Sequence, residues 1–311
     1  MISVVSPIYN ESGNLTELYT RVTKALEGVS EEFEFILVDN GSMDCSLEII
    51  KGLRKKDPRI KFLSLSRNFG HQGAIIAGLT YASGDAIISL DGDLQHPPEL
   101  IPKLIDLWKK GHEVVFTIKK KKNKERKWLF FSNRVFYKFI TAISDISLAY
   151  GQSDYRLLDR KVVDAIMQIP EKNKFLRGMV HWVGFSQVAV EYEAGQRKSG
   201  DSKFSFWNYI NFAFDGIFSF STLPLKLFLW MGVIIASFCA IWGIYYVAMG
   251  IANLFMSDKN LLPPGSATIT VSILFLGGIQ LIGIGILGEY IGRIYSQTKE
   301  RPDFIVKEKS I

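Results

Sequence analysis

The sequence predicts an α/β fold, a mostly parallel sheet with helices on both faces, followed by two helices that cross a membrane. Two observations carry this reading. Between Ile2 and Trp108, short apolar runs alternate with segments of helical periodicity, the order that builds a parallel sheet. Further on, no charge occurs from Leu227 to Ser257, nor from Asn260 to Gly288, and each stretch exceeds the roughly 20 residues that a helix needs to span a bilayer.

The predicted elements follow in order. Ile2 to Ser6 is the first strand, and Met1 to Asn10 lacks the basic segment and long apolar stretch of a signal peptide. Strands at Phe33 to Asp39, Ile60 to Leu65 and Ala86 to Asp91 alternate with helices at Leu15 to Leu26, Ser46 to Lys55, Ala74 to Ala82 and Glu99 to Trp108. Asp44 is placed to cap the helix that starts at Ser46, and Pro97 and Pro98 start the helix of Glu99. No internal repeat is visible. The two apolar segments lack the polar face of a soluble helical hairpin. Arg197, Lys198, Lys203 and Lys226 precede them, and Arg293, Lys299 and Arg301 follow, which places both outer ends in the cytoplasm and the short loop between them outside.

Composition narrows the class. In 311 residues, 37 Lys and Arg against 31 Asp and Glu give a formal charge of +6, mildly basic, while 48% hydrophobic content excludes a disordered chain. The length suggests roughly two domains. Cys45 lies in polar surroundings and Cys239 in an apolar run, so neither a disulfide framework nor a cysteine zinc site is available. No spacing makes His71 or His96 a zinc ligand, and both read as local hydrogen-bonding residues.

Ligands of open parallel sheets bind outside the carboxyl ends of the strands. Three predicted strands end in residues of chemical use: Pro7-Ile8-Tyr9-Asn10-Glu11, Asp39-Asn40-Gly41-Ser42-Met43-Asp44 and Asp91-Gly92-Asp93-Leu94-Gln95. Asp91 and Asp93 flank a glycine, so both carboxylates can approach one hard cation, magnesium or manganese, whose shell substrate phosphates complete. Gln95 supplies a further oxygen. A solvated acidic turn is the competing use of Asp-x-Asp, and the apolar strand before it with the prolines after it favours the metal. Asp39 ends a buried strand and can accept hydrogen bonds from a nucleotide's base or ribose, and Arg67 is expected to face the same cleft.

These segments, with Ser66 to Gln72, Asp154-Tyr155-Arg156-Leu157-Leu158-Asp159-Arg160, Arg177-Gly178, Arg197-Lys198-Ser199-Gly200-Asp201-Ser202-Lys203 and the two-helix tail ending in Gly288-Glu289-Tyr290-Ile291-Gly292-Arg293-Ile294-Tyr295, resemble family-two glycosyltransferases of the GT-A fold. The match is to the polyprenyl-phosphate branch, which includes dolichol-phosphate mannosyltransferases and bactoprenol glucosyltransferases. The resemblance covers nearly the whole chain. It implies transfer of a hexose, by inversion, from a nucleotide diphosphate sugar to undecaprenyl or a related polyprenyl phosphate, with Mg2+ or Mn2+ bound by Asp91, Asp93 and Gln95. Donor contacts are implied at Pro7, Tyr9, Glu11, Asp39, Arg67, Asp91, Arg197, Ser202 and Lys203, and catalytic roles at Asp93 and at Asp154, the position of a base or an orienting group. Glucose from a uridine donor is favoured over mannose from GDP-mannose or a UDP-aminosugar. The usual second Asp of the Asp-Asp-Gly-Ser motif is Asn40 here, so no role needing a carboxylate transfers to it.

The domains expected are a catalytic domain at 1–203, an interfacial helix at 204–222, spans at 223–257 and 266–290 around an external loop at 258–265, and a cytoplasmic tail at 291–311. Trp207, Ile210, Phe214, Ile217 and Phe218 recur at helical spacing, an aromatic face suited to the headgroup region of a bilayer. The basic run Lys119 to Lys127 suits anionic lipid. Two spans and the lack of an aromatic platform beside that run argue against nucleic acid as a partner. The expected location is the inner membrane of a bacterium, multi-pass, with a homo-oligomer, a tetramer by family resemblance. A processive polysaccharide synthase would carry a Gln-x-x-Arg-Trp motif and more spans, neither of which this chain has. A non-catalytic membrane scaffold or lipid-translocating partner would have no need of Asp39, Asp91, Asp93, Arg197 and Lys203.

Overall fold

The computed structural model describes residues 1–29, 31–120, 152–171, 174–192, 222–255 and 265–311. The chain divides into two units, Met1–Ser219 with Glu300–Ile311, and Phe220–Lys299.

In the first unit, four strands form the parallel centre of an eight-stranded sheet: β1 (Ile2–Ile8), β2 (Phe33–Asp39), β3 (Ile60–Leu65) and β4 (Ala86–Ser89). β1 pairs with β2 on one side and β4 on the other, and β2 pairs with β3. Both faces of these strands are covered, which is why they read as continuous apolar runs. Helix α1 (Leu15–Glu27) buries Leu15, Leu18, Val22 and Leu26, one stripe at helical spacing. Helices α2 (Ser46–Lys56), α3 (Gly70–Tyr81) and α4 (Ile101–Lys109) complete the alternation, and Pro98–Leu100 forms a 3-10 turn ahead of α4. α3 starts earlier than the apolar pattern indicates, because Asn68 Oδ1 accepts the Gly70 N–H at 2.8 Å and fixes the first turn. The residue capping α2 is Cys45. Asp44 acts from one position further back, accepting the N–H groups of Ser46 and Ser12.

The other strands are β5 (Val114–Lys119), β6 (Gln152–Asp159), β7 (Gln187–Tyr192) and β8 (Val306–Ser310), with helices α5 (Arg160–Met167) and α6 (Leu176–Trp182) between β6 and β7. The sheet order is β7-β5-β6-β4-β1-β2-β3-β8. β7 is parallel to β5, whereas β6 runs antiparallel to β4 and β5, and β8 antiparallel to β3. Residues 306–310 thus return to the sheet as an edge strand, where the sequence suggested only a tail.

The second unit holds α7 (Leu223–Phe255) and α8 (Ser266–Thr298), so the second helix continues past the expected end at residue 290. Leu223–Tyr245 and Phe275–Thr298 are long and apolar enough to cross a membrane, with mean hydropathies of 2.2 and 1.4. Their large apolar side chains, among them Leu229, Trp230, Ile234, Ile241 and Ile284, are exposed within the chain, as lipid-facing residues are. The expected interfacial helix lies outside the described residues but for Thr222, and the loop at 258–265 but for Gly265.

Candidate active site

Parallel pairing brings the ends of β1, β2, β3 and β4 to one edge, and the loops that follow them are laced together. Asn10, in the left-handed region at φ 54°, donates its N–H to Ser42 Oγ and accepts the Met43 N–H on its side chain. The Glu11 N–H donates to Ser46 Oγ, and its carboxylate accepts from Asn14. Pro7 lies in register with Val38, and Tyr9 follows the strand half-buried.

Asp39 is buried at the end of β2, where Oδ1 accepts the Ser42 N–H and Oδ2 the Ser64 hydroxyl, both at 3.1 Å. Neither partner is a cation. Asn40 joins this rim to the next loop: its Oδ1 accepts from Phe69 N–H, and its Nδ2 donates to Asn68 Oδ1 and to the Gly70 carbonyl. A carboxylate could not make the last two bonds, which gives a local reason for the amide at this position. Gly41, at φ 72°, packs so closely on Arg67 that a Cβ would lie 2.7 Å from the Arg67 carbonyl carbon. Arg67 therefore belongs to this rim. Its guanidinium is stacked on the Phe69 ring and donates to the Asn68 carbonyl.

Asp91 and Asp93 follow β4. Gly92 between them has no room for a side chain, since a Cβ would stand 2.6 Å from Ile8 Cδ1. Asp93 accepts the Gln95 N–H at 3.1 Å and the Gln95 amide at 3.0 Å, so only the Gln95 carbonyl oxygen remains as a ligand atom. His71 Nε2 lies 3.4 Å from Asp91 Oδ1, and His96 Nδ1 lies 3.3 Å from Asp91 Oδ2. His96 is stacked on Tyr155 and meets Tyr192 edge-on. Among the described residues no group of three or more His, Cys, Asp or Glu side chains is gathered for a metal ion. Asp91, Asp93 and the Gln95 amide oxygen offer hard ligands, of the kind that suits a magnesium-like ion sharing its shell with phosphates.

β6 closes the other side. Because it runs antiparallel to β4, with Arg156 opposite Ser89, its first residues lie beyond the end of β4, beside Asp91. Ser89 Oγ donates to the Asp154 carbonyl, and His71 Nε2 lies 3.8 Å from Asp154 Oδ2. Arg177 of α6 grips Asp154 with two hydrogen bonds, of 2.9 and 2.8 Å, and Arg156 adds a third at 3.0 Å. Burial pushes the Asp154 carboxyl up, but the charge and hydrogen bonds of Arg177, with the charge of Arg156, outweigh it and hold the group far below the usual carboxylate range. Burial lowers Arg156 to about 10, against the pull of Asp154, which leaves it charged at neutral pH.

The structure brings Pro7, Tyr9, Glu11, Asp39, Arg67, Asp91, Asp93, Gln95 and Asp154 to this edge. Arg197, Ser202 and Lys203 lie outside the described residues, as does the basic run beyond Lys120. Reading the sequence for local hydrogen bonds alone missed His71 and His96 as the neighbours of Asp91, and it assigned nothing to Arg156 or Arg177. An arginine within the otherwise apolar strand of Tyr155, Leu157 and Leu158 was the available signal for the Asp154 pair.

Comparison with known proteins gives a consistent result. A profile described as Glycosyl transferase family 2 matches residues 3–167, and one described as GtrB C-terminal hairpin matches residues 223–294. The chain is 40% identical over 306 residues to the prophage bactoprenol glucosyl transferase homolog of Escherichia coli (strain K12), covering 98% of each. It is also 40% identical to the bactoprenol glucosyl transferase of Shigella phage SfV, over 99% of this chain and 98% of that one. An uncharacterized glycosyltransferase of Synechocystis, sll0501, shares 40% identity over 99% of this chain and 95% of its own. A solved glucosyl-3-phosphoglycerate synthase from Mycobacterium tuberculosis, in complex with Mn2+, UDP-glucose and phosphoglyceric acid, aligns with 64% of this chain and 73% of its own at 18% identity and a TM-score of 0.44, too distant a likeness to carry residue roles across.

Proposed function

The chain belongs to glycosyl transferase family 2, and from that membership we propose that it is a membrane-anchored inverting enzyme that moves glucose from UDP-glucose to undecaprenyl phosphate or a related polyprenyl phosphate. The observation that carries this reading is the 40% identity, along nearly the whole chain and hairpin included, to relatives named bactoprenol glucosyl transferase.

In this reading the Asp39 rim, with Pro7, Tyr9, Glu11 and Arg67, receives the nucleotide. Asp91 and Asp93, with Gln95, would hold Mg2+ or Mn2+, whose charge would offset that growing on the diphosphate leaving group. Arg197, Ser202 and Lys203 are assigned to the same phosphates, the Arg fork suiting bidentate contact. The acceptor is a phosphate monoester with a second pKa of about 6, so its attacking oxygen is largely anionic near neutral pH and needs little proton abstraction. Asp154, held ionised by Arg177 and Arg156, is a poor proton acceptor, and its role is to fix those cations and His71 beside Asp91.

Connectivity supports a cytoplasmic catalytic unit. Residues on both sides of the hairpin fold into one unit, so the intervening chain crosses a bilayer an even number of times. With basic residues at both outer ends, that unit faces the cytoplasm of a bacterial inner membrane. A homo-oligomer, a tetramer by family resemblance, belongs to the same proposal.

The test is incubation of membranes with undecaprenyl phosphate and a panel of labelled nucleotide sugars. Label from UDP-glucose should enter the lipid fraction. Label entering only from GDP-mannose or a UDP-aminosugar would replace the sugar, and no transfer from any donor would favour a non-catalytic membrane scaffold or lipid-translocating partner. For topology, Asn260→Cys in a background without Cys45 and Cys239 should be labelled from outside intact cells, and labelling only after permeabilisation would reverse the orientation.

A further inference from the structure

The segment that follows the second apolar helix touches both walls of the site. The Ile305 carbonyl accepts the Ser66 N–H at 2.9 Å, at the start of the loop that carries Arg67 and Asn68. The Asp303 carbonyl lies against the first turn of α3, 3.3 Å from where a Cβ on Gly73 would stand, two residues beyond His71. Phe304 packs edge-on against Tyr81 at the far end of the same helix. On the opposite side, the Asp303 carboxylate pairs with Lys174 at 3.1 Å, three residues before the Arg177 that grips Asp154. One residue therefore joins the α3 start to the entry of α6, and His71 and Arg177 reach Asp154 from those two elements.

The pair is suited to this task. Lys174 and Asp303 keep only 11% and 23% of their side-chain surfaces exposed, whereas another ion pair of this segment, Lys51 with Glu308, is exposed by 38% and 47% and is screened by solvent. Phe175, next to Lys174, is buried, so a shift of Lys174 passes directly into α6.

We propose that Asp303, through Lys174, is a positioning residue of the glycosyl-transfer site, and that the segment after the membrane hairpin braces the Asp154–Arg177–His71 cluster. The proposal rests on the transfer reading above. It touches no reacting atom and works by holding catalytic groups in place, where displacements of about 1 Å are costly.

The experiment compares full-length Asp303→Asn, Asp303→Glu, Lys174→Met, the Asp303→Asn/Lys174→Met double variant and Glu308→Gln as the control on the same segment. Asp303→Asn and Lys174→Met should each lower kcat about tenfold, with donor KM near wild type, when assayed well below the melting temperature of every variant. The double variant should lose no more than either single one, because the pair acts as a unit. Asp303→Glu should keep most of the turnover, and Glu308→Gln all of it. Wild-type kcat in Asp303→Asn, multiplying losses in the double variant, or a kcat loss no larger than the unfolded fraction accounts for would overturn the proposal. Amide hydrogen exchange needs no turnover: it should quicken at residues 70–73 and 175–178 in Asp303→Asn, and unchanged exchange there rejects the brace. A wild-type chain that transfers no sugar would instead refute the transfer reading, and the exchange result would still decide the brace.

Discussion

Asp91 and Asp154 both lie beside His71, at 3.4 and 3.8 Å, and their surroundings differ in kind. Asp91 has two histidines at 3.3 and 3.4 Å and its neighbour Asp93 accepts from the neutral Gln95, whereas Asp154 is held by two arginines through three hydrogen bonds. A carboxylate gripped by two guanidiniums has its charge answered within the fold, which keeps it ionised and fixes its place. The comparison separates a carboxylate beside two histidines from one fixed by two arginines, although both stand at the same strand-end edge.

The sharpest way to break that distinction is Asp93→Asn. It should lower transfer by about 10³-fold, the equivalent of several kcal/mol of leaving-group stabilisation, without lowering the melting temperature. Chelation of divalent ions should do the same to the wild type, and full turnover in chelator would remove the metal from this site.

Asp154→Asn should behave in the opposite way, by unfolding. It leaves the buried Arg156 and the half-buried Arg177 without their counter-charge, at a cost of about 3–5 kcal/mol measured by chemical denaturation. The pH dependence gives the sign. The folded pKa of Asp154 is depressed, so its contribution is complete above the ordinary carboxylate pKa of about 4 and is lost as pH falls towards the folded value. The gap between wild type and variant should be widest above about pH 5 and close in acid. A gap that widened in acid would contradict the assignment.

Asn40→Asp restores a carboxylate to the rim and should cost about 1–3 kcal/mol, because it removes two donated hydrogen bonds and sets a charge facing Asn68 Oδ1 and the Gly70 carbonyl. If the variant is as stable as wild type and more active, the amide is not required by the loop. The smallest effect is expected at Lys51→Ala on the exposed Glu308 pair, below about 1 kcal/mol. A larger loss would mean that β8 is held by its side chains more than by its ladder with β3.

Local composition is enough for whatever depends on contact with bulk solvent. The apolar runs of β1 to β4 announce themselves because protein covers both faces, the charge-free stretches of the hairpin because their length and hydropathy suit a membrane span, and Asp39, Asp91 and Asp93 are legible because carboxylates ending such runs must lie at the sheet's edge. β8 escaped because Val306-Lys307-Glu308-Lys309-Ser310 is a charged edge strand with one ladder and no buried face, and edge strands carry charge for that reason. The partners of Asp154 were equally hidden, since Arg177 is 23 residues away in sequence and meets it only through the antiparallel return of β6 and the placement of α6. The sequence by itself determined the class of fold, the two apolar helices and the strand-end carboxylates. Only the tertiary structure decided which groups surround each of those carboxylates, because electrostatic partnership depends on distances of 3–4 Å between segments whose separation along the chain carries no such information.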